Sequence, residues 1–249
     1  MDTSLYVNLS YQSSLQRRLE LIANNIANVN TAGFKGERVM FDDVTHKSAG
    51  AAGTASVSFV IDRASYTDFN TGSITQTGNQ FDVAVVGEGF LSVETPNGIR
   101  YTRDGRMNVS PNGVLVNLDG SPVLGRAGEQ IQIPEQAISV AISQSGTISV
   151  QLEGEPQPID IGTIGIFEFD EPQRLEREES GRFNAEDTFA VNKQDGQIQQ
   201  FAIESSNINP IKEIIKLMEL SRAYTQVSKS SSDIHDQKKD SIGRLSKNS

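Results

Sequence analysis

Both ends of the chain carry the alternating three- and four-residue spacing of apolar side chains that is typical of amphipathic helices. No Gly or Pro occurs before position 33, so nothing interrupts the first of these segments. Its stripe matches the a and d positions of a heptad, and it is formed by Leu15, Leu19, Ile22, Ile26 and Val29. The pattern predicts a helix over residues 1–33, closed by Gly33 in a left-handed conformation.

The C-terminal end predicts a second, longer helix over residues 206–249. Asn209 is suited to cap its first turn, and Pro210 fits the first helical position, where the missing N–H costs nothing. The seam with alternating spacing includes Ile214, Leu217 and Tyr224, and a second apolar stripe is formed by Ile211, Ile215 and Met218. Toward the C-terminus the side chains of this seam become small and polar, so that part of the helix needs polar contacts or contacts with other subunits.

Between the two ends the hydrophobic period changes to two. Short alternating runs are separated by Asn-Gly and Asp-Gly turns, which predicts an antiparallel β domain over residues 76–205. Residues 34–75 are rich in Gly, Ala, Ser and Thr and are predicted to be an extended linker. A few short stretches within it, such as residues 56–61, are predicted to have a strand-like, extended backbone. The predicted fold class is therefore α+β, with the N- and C-terminal helices paired as a coiled-coil-like α domain, a central mainly antiparallel β domain and an extended linker.

Neither helix is expected to be stable alone. Burying five aliphatic side chains supplies roughly 10 kcal/mol, whereas ordering the backbone costs about 1–2 kcal/mol per residue. The ends are therefore expected to fold when their stripes find partners, first in the other end of the same chain and then in a neighbouring subunit.

Composition excludes several classes of function. The net charge is −10, and residues 41–204 alone carry −14, which argues against nucleic-acid binding because phosphate contacts need clustered Lys and Arg. The chain has no Cys, and its two histidines, His46 and His235, are far apart in sequence. We therefore expect no catalytic residues, no cofactor and no metal site. No apolar stretch is long enough to span a bilayer, so direct membrane insertion is not expected.

Three motifs resemble the rod and hook proteins of the bacterial flagellar basal body. The first is LIANNIANVNTAGFK at residues 21–35. The second is TGNQFDVAVVGEGF at 77–90, followed by YTRDG at 101–105 and PVLG at 122–125. The third is ESSNINPI at 204–211, leading into MELSRAY at 218–224. Together they cover nearly the whole chain in the order of the family, and the short N-terminus and small β domain are most similar to the proximal rod members.

The resemblance implies a structural subunit of the proximal rod, which assembles helically into the drive shaft that transmits torque and encloses the export channel. The implied partners are other copies of the chain, the distal and inner rod subunits and the flagellar type III export apparatus. The implied location is the periplasmic rod, reached without a cleaved signal peptide. A distal rod or hook-type subunit is the near alternative. An alternative of another class is a secreted β-domain binding module with a helical oligomerisation stalk, although a stalk normally lies at one end only.

The stripes and the resemblance together give the candidate residues of an assembly interface. We expect Asn24 and Asn28, four residues apart, to form hydrogen bonds that fix the register of packed helices, or else to be solvent-exposed near a frayed helix end. Phe34 is expected either to anchor the chain on a neighbour or to pack on its own domain. The full set is Leu15, Leu19, Ile22, Asn24, Asn25, Ile26, Asn28, Val29, Gly33, Phe34, Ile211, Ile214, Leu217, Met218 and Tyr224.

Overall fold

The computed structural model describes residues 3–48, 55–185, 191–192 and 196–247. Backbone contacts divide the chain into two compact units. The first, here called the terminal unit, consists of Met1–Ala27, Glu37–Asp68 and Asn209–Ser249. The second, the central unit, consists of Asn28–Gly36 and Phe69–Ile208. Each helix of the described part is too short or too polar to cross a membrane.

Two helices and an antiparallel strand pair build the terminal unit. Its elements are α1 (Thr3–Ala27), β1 (Glu37–Ser48), β2 (Ala55–Thr67) and α2 (Pro210–Lys247). α1 contacts α2 and both strands. The side-chain amide of Gln12 donates a hydrogen bond of 3.2 Å to the hydroxyl of Tyr224. The two ends of the chain therefore meet, while coiled-coil geometry between them stays a prediction.

The start of α2 follows the predicted capping chemistry. Asn209 Oδ1 accepts a hydrogen bond of 3.2 Å from the backbone N–H of Lys212, and Pro210 is the first residue of the helix. The N-cap prediction is confirmed. The helix therefore begins at the residue that the capping pattern predicted, while residues 206–208, which the predicted range 206–249 also included, belong to the central unit.

The predicted end of the first helix is wrong by about six residues. α1 ends at Ala27, and Thr31 N–H instead donates to the carbonyl of Asn28 in a tight turn, at 3.1 Å. Asn and Thr have low helix propensity, and this weakness outweighs the continued apolar spacing to Val29. Val29 is therefore not part of the helical stripe.

The predicted linker is also wrong over most of its length. Residues 37–48 and 55–67 form β1 and β2, paired antiparallel with a register shift between Met40 and Phe41. The Gly- and Ala-rich composition belongs mainly to residues 48–56, whereas the flanking stretches are rich in Val, Phe, Ile and Thr, which favour strands. The extended conformation predicted for residues 56–61 is confirmed as part of β2.

The central unit is built from short antiparallel strands and two single-turn 3₁₀ helices, Pro172–Arg174 and Glu179–Gly181. Its strands are β3 (Ile74–Gln76), β4 (Val83–Val86), β5 (Phe90–Thr95), β6 (Gly98–Thr102), β7 (Met107–Val109), β8 (Leu115–Asn117), β9 (Ala137–Ile142), β10 (Thr147–Leu152), β11 (Ile159–Thr163), β12 (Ile166–Glu168), β13 (Glu176–Arg177), β14 (Arg182–Asn184), β15 (Val191–Asn192), β16 (Gln197–Gln200) and β17 (Ala202–Glu204). The mainly antiparallel β body is confirmed.

The strands pair in small sheets rather than in one large sheet. The largest has six strands in the order β13-β14-β6-β5-β12-β15, and a second has the order β11-β10-β9. The remaining strands of this unit pair as β16-β4, β17-β3 and β7-β8. The main apolar core contains side chains from most of these sheets, so apolar side chains buried between the sheets hold the unit together. A second, aromatic core contains Phe90, Phe169, Leu175 and Phe183.

Candidate functional site: a buried junction and an exposed helix face

A buried carboxylate in the central unit joins three distant parts of the chain. Glu204 is the last residue of β17 and lies directly before the segment that leads into α2. Its carboxylate accepts hydrogen bonds from Lys35 Nζ at 2.6 Å, from Arg103 Nη1 at 3.2 Å and from the backbone N–H of Gly72 at 2.8 Å. We call Lys35, Arg103 and Glu204 the ionic junction.

The ionic junction is almost completely shielded from water. The side chains of Lys35 and Glu204 are each 1% exposed, and that of Arg103 is 3% exposed. Lys35 also donates to the carbonyl of Asn70 at 3.0 Å, and Arg103 Nη2 donates to the carbonyl of Gly87 at 2.8 Å. Burial lowers the pKa of the Arg103 guanidinium from its ordinary value, and the Glu204 carboxylate opposes that shift. Charges buried to this degree need such partners, because each one loses its hydration.

Gly33 and Phe34 lie near the end of the motif at residues 21–35, here called the signature segment, and hold that end on the strands and loops of the central unit. Gly33 has φ +68°, and its N–H donates to the carbonyl of Glu204 at 2.7 Å. A Cβ on this residue would lie 2.3 Å from the carbonyl carbon of Arg103, so only glycine fits. Phe34 is buried, and the guanidinium carbon of Arg177 lies 4.1 Å from the centre of its ring. Of the two expectations for Phe34, packing on its own unit is therefore the one observed.

Hydrogen bonds hold the segment that follows α1 beside the segment that precedes α2. Asn207 Oδ1 accepts from the N–H of Gly36 at 2.9 Å, and Asn207 Nδ2 donates to the carbonyl of Asn70 at 3.1 Å. A Cβ on Gly72 would lie 1.9 Å from the carbonyl oxygen of Ser205, so the backbones at Gly72 and Ser205 also approach closely. These contacts fix where both segments lie in the central unit.

In the terminal unit, one asparagine of the signature joins α1 to β1. Asn25 is buried, its Oδ1 accepts from the N–H of Glu37 at 3.0 Å, and its Nδ2 donates to the carbonyl of Glu37 at 2.9 Å. Asn24 is exposed in the single chain. Asn28 lies beyond the helix, where its Oδ1 accepts from the Thr31 hydroxyl at 3.3 Å. The expectation that Asn24 and Asn28 share one helical face is thus wrong for Asn28, because the helix ends at Ala27. Hydrogen bonds from these residues between packed helices stay a prediction.

The apolar stripe of α1 is partly covered. Leu15 and Ile22 are buried, and Leu19 and Ile26 are half-buried. Val29 is also half-buried, in the turn after the helix. The four covered residues of α1 lie on the side that packs against its own unit, where α1 contacts α2, β1 and β2. The role of all five residues in an assembly stays a prediction.

The predicted interface residues of α2 lie on two opposite faces. Leu217 and Tyr224 are half-buried, whereas Ile211 is 69% exposed and Ile214 and Met218 are also exposed. At about 100° per residue, Ile215 points directly away from Tyr224, whereas Ile211 and Met218 lie about 140° and about 120° from Tyr224 around the helix axis. The exposed apolar face of α2, here called the free face, consists of Ile211, Ile214, Ile215 and Met218.

Sequence reasoning missed the ionic junction. Lys35, Arg103 and Glu204 each lie inside a motif of the resemblance, but none was singled out because charged residues are normally solvated. The available signal was their place inside the motifs, since Lys35 is the only charged residue of 21–35 and Glu204 is the only charged residue of 204–211. In the part of the chain that the structure describes, no group of three or more His, Asp and Glu side chains is placed to hold a metal ion.

Three family models match the chain in sequence order. They are described as flagella basal body rod protein, residues 5–35; flagellar hook protein FlgE/F/G D1 domain, residues 84–150; and flagellar basal body rod FlgEFG protein C-terminal, residues 199–237. These regions include the signature segment, most of the central unit and most of α2.

Full-length relatives agree with the family models. The flagellar basal-body rod protein FlgF of Caulobacter vibrioides is 38% identical over 249 residues, which is 99% of each chain. FlgF of Mesorhizobium japonicum is 36% identical over 90% of each chain. FlgG of Buchnera aphidicola subsp. Schizaphis graminum is 32% identical over 92% of this chain and 95% of its own. The chain therefore belongs to the flagellar basal-body rod protein family, and it is a structural subunit rather than an enzyme.

Proposed function

We propose that the chain is a proximal rod subunit whose two long helices form the wall of a helical assembly around an export channel. Its neighbours are further copies of itself and the distal and inner rod subunits, and the assembly transmits torque. Family membership gives the location in the flagellar basal body and the assembly with other rod components. The observation that carries the finer proposal is the free face of α2.

The free face has the properties of an unsatisfied interface. Its four apolar residues are all 45% exposed or more in the single chain, and they lie opposite the face that carries Tyr224. Complete burial of an aliphatic side chain is worth about 1.5–3 kcal/mol. Because each of these side chains is about half exposed, covering the face contributes roughly 3–6 kcal/mol. A rod neighbour that supplies an apolar surface would provide this energy.

The charge distribution supports an inner position for the helices. Residues 1–40 carry a net charge of +1 and residues 205–249 carry +3, whereas residues 41–204 carry −14. Close packing of many copies is opposed by like charges. The helical ends therefore form the packed wall, and the acidic central unit faces outward.

Export through the flagellar type III apparatus into the periplasm completes the proposal. A chain that passes through a narrow channel must be unfolded during transit. The absence of Cys is compatible with this route, because no disulfide can trap a folded form.

The free face can be tested with one charged substitution and a charge-matched control. Ile215→Glu adds one negative charge to the free face, and Lys212→Gln changes the charge by the same amount at an exposed position beside it. Each variant is expressed in a strain that lacks the wild-type gene, and its amount in isolated rods is measured by immunoblot. We expect incorporation of Ile215→Glu to fall at least about tenfold, equivalent to about 1.4 kcal/mol, with Lys212→Gln close to wild type.

Purified Ile215→Glu should keep its helical circular dichroism, because position 215 is exposed in the single chain. Wild-type incorporation of this variant would refute the proposed role of the free face. A distal position is the second candidate, supported by the FlgG relatives. Immunogold labelling along isolated rods separates the two positions, since a proximal subunit is labelled only at the end next to the inner membrane.

A further inference from the structure

Phe201 occupies a backbone conformation that is normally reserved for glycine. It lies between β16 and β17 with φ +59°. In the described residues, ten glycines have positive φ, whereas the only other residue with positive φ besides Phe201 is Ser180. A bulky L-residue in the left-handed region is strained, since its Cβ approaches the following carbonyl oxygen.

Two backbone hydrogen bonds impose this conformation. The N–H of Phe201 donates to the carbonyl of Asp82 at 2.9 Å, and its carbonyl accepts from the N–H of Thr77 at 2.6 Å. Glycine would make both bonds without strain. The backbone therefore does not explain why the side chain is a phenyl ring.

The interior of the central unit does not explain the ring either. Phe201 is 45% exposed, and it is a member of neither the main apolar core nor the aromatic core of the described residues. Strained residues persist where the strain serves a function, and exposed aromatic rings are common anchors of protein interfaces. The benefit of this ring thus lies outside the single chain.

We propose that Phe201 is an interface anchor that packs against the free face of α2 of a second copy of this chain. This inference rests on the proposed function and names the surface that one copy offers to the next. An open helical array of identical subunits needs two different, complementary patches on each subunit. Phe201 is on the central unit and the free face is on the terminal unit, so the chain carries both halves of such a contact.

The chemistry of the two patches is complementary. The free face presents the side chains of three isoleucines and the thioether of Met218. Contacts between a thioether sulfur and an aromatic ring are favourable. Neither patch contains a charged side chain, so their contact leaves no buried charge without a partner.

Photocrosslinking tests the contact directly. p-Benzoylphenylalanine is placed at position 201, where it keeps an aromatic ring, and at Ile138 as a control, because Ile138 is an exposed residue of β9 in the same unit. Rods from cells that make each variant are irradiated, and covalent products are mapped by mass spectrometry. We expect a covalent dimer at least about fivefold more abundant from position 201. Its adduct should lie on a tryptic peptide that carries a residue of the free face, which means residues 194–212, 213–216 or 217–222.

The outcomes separate this inference from the proposed function. Rods that contain the position-201 variant but yield no dimer above the Ile138 control overturn the inference and leave the proposed function standing. An adduct on a different rod protein, or on another part of a second copy, overturns the stated partner surface. Absence of both variants from the rods would contradict the proposed function itself and, with it, the inference.

Substitution gives a second, independent arm. Phe201→Asn keeps a residue that tolerates positive φ but removes the ring, whereas Phe201→Tyr keeps the ring. We expect incorporation into rods to fall at least about tenfold for Phe201→Asn and to stay within about twofold of wild type for Phe201→Tyr. Equal incorporation of the two variants, with both purified chains folded by circular dichroism, would overturn the role of the ring.

Discussion

Replacing Glu204 by glutamine isolates the contribution of the ionic junction. The substitution keeps the shape of the side chain but removes its negative charge. That charge is the shared partner of two buried cations, Lys35 and Arg103. Breaking a buried ion pair by removing one partner costs about 3–5 kcal/mol, because a charge remains buried without compensation. A unit of this size loses about 2–4 °C of melting temperature per kcal/mol. We therefore expect the transition of the central unit to fall by about 6–20 °C.

Calorimetry of the purified full-length chain measures this shift, with two further variants as controls. Glu171→Gln breaks the exposed pair with Arg174, whose side chains are 66% and 68% exposed, and should change stability by no more than about 0.5 kcal/mol. Lys35→Met leaves the Arg103–Glu204 pair intact and electrically balanced, so its loss should be smaller than that of Glu204→Gln. Equal shifts for Glu204→Gln and Glu171→Gln would refute the reasoning.

Three further predictions concern stability and are measured by urea or thermal unfolding. Gly33→Ala should cost about 1–3 kcal/mol more than Gly120→Ala, because both have positive φ but only Gly33 lacks room for a Cβ; similar losses would contradict the close approach. Asn25→Ala should cost about 1–3 kcal/mol, because it removes the two hydrogen bonds between the buried Asn25 side chain and the Glu37 backbone, whereas the exposed Asn24→Ala should stay within about 0.5 kcal/mol. Burial raises the pKa of Tyr101, so this hydroxyl ionises at a lower pH in the unfolded chain than in the folded one, and stability falls above about pH 10. Tyr101→Phe should reduce that fall. An unchanged dependence of stability on pH in this variant would contradict the prediction.

The long elements at the chain ends could be predicted because their signals are local. An uninterrupted apolar spacing and the Asn209–Pro210 start are sufficient for α1 and α2, and the observed N-cap follows directly. The end of α1 could not be placed from spacing alone. Val29 continues the apolar pattern, but the low helix propensity of the Asn and Thr residues around it outweighs that pattern, and the chain turns at Asn28.

The strand pair β1–β2 was missed because composition was averaged over too long a window. The small residues at 48–56 dominate the composition of residues 34–75. The β-branched and aromatic residues that favour strands lie on either side of them, in β1 and β2. Strands in the centre could be predicted from their alternating apolar residues. Val83, Ala84 and Val85 are all buried, so both faces of β4 are covered, which alternation alone does not show.

The ionic junction could not be predicted as a unit. Its members are separated by 169 and 101 residues along the chain, and no periodicity connects such positions. The motifs that carry the family resemblance nevertheless contain all three members. In the single chain, Gly33, Lys35, Arg103 and Glu204 hold residues 28–36 in place within the central unit.

A helical reconstruction of isolated rods that contain the chain tests the central claim most directly. The proposal predicts that α1 and α2 lie together in the wall nearest the axis, with the free face at Ile211 and Ile215 covered by a neighbouring subunit and the central unit outside. A reconstruction in which the free face remains in solvent, or in which the helices lie outside the central unit, would contradict the account.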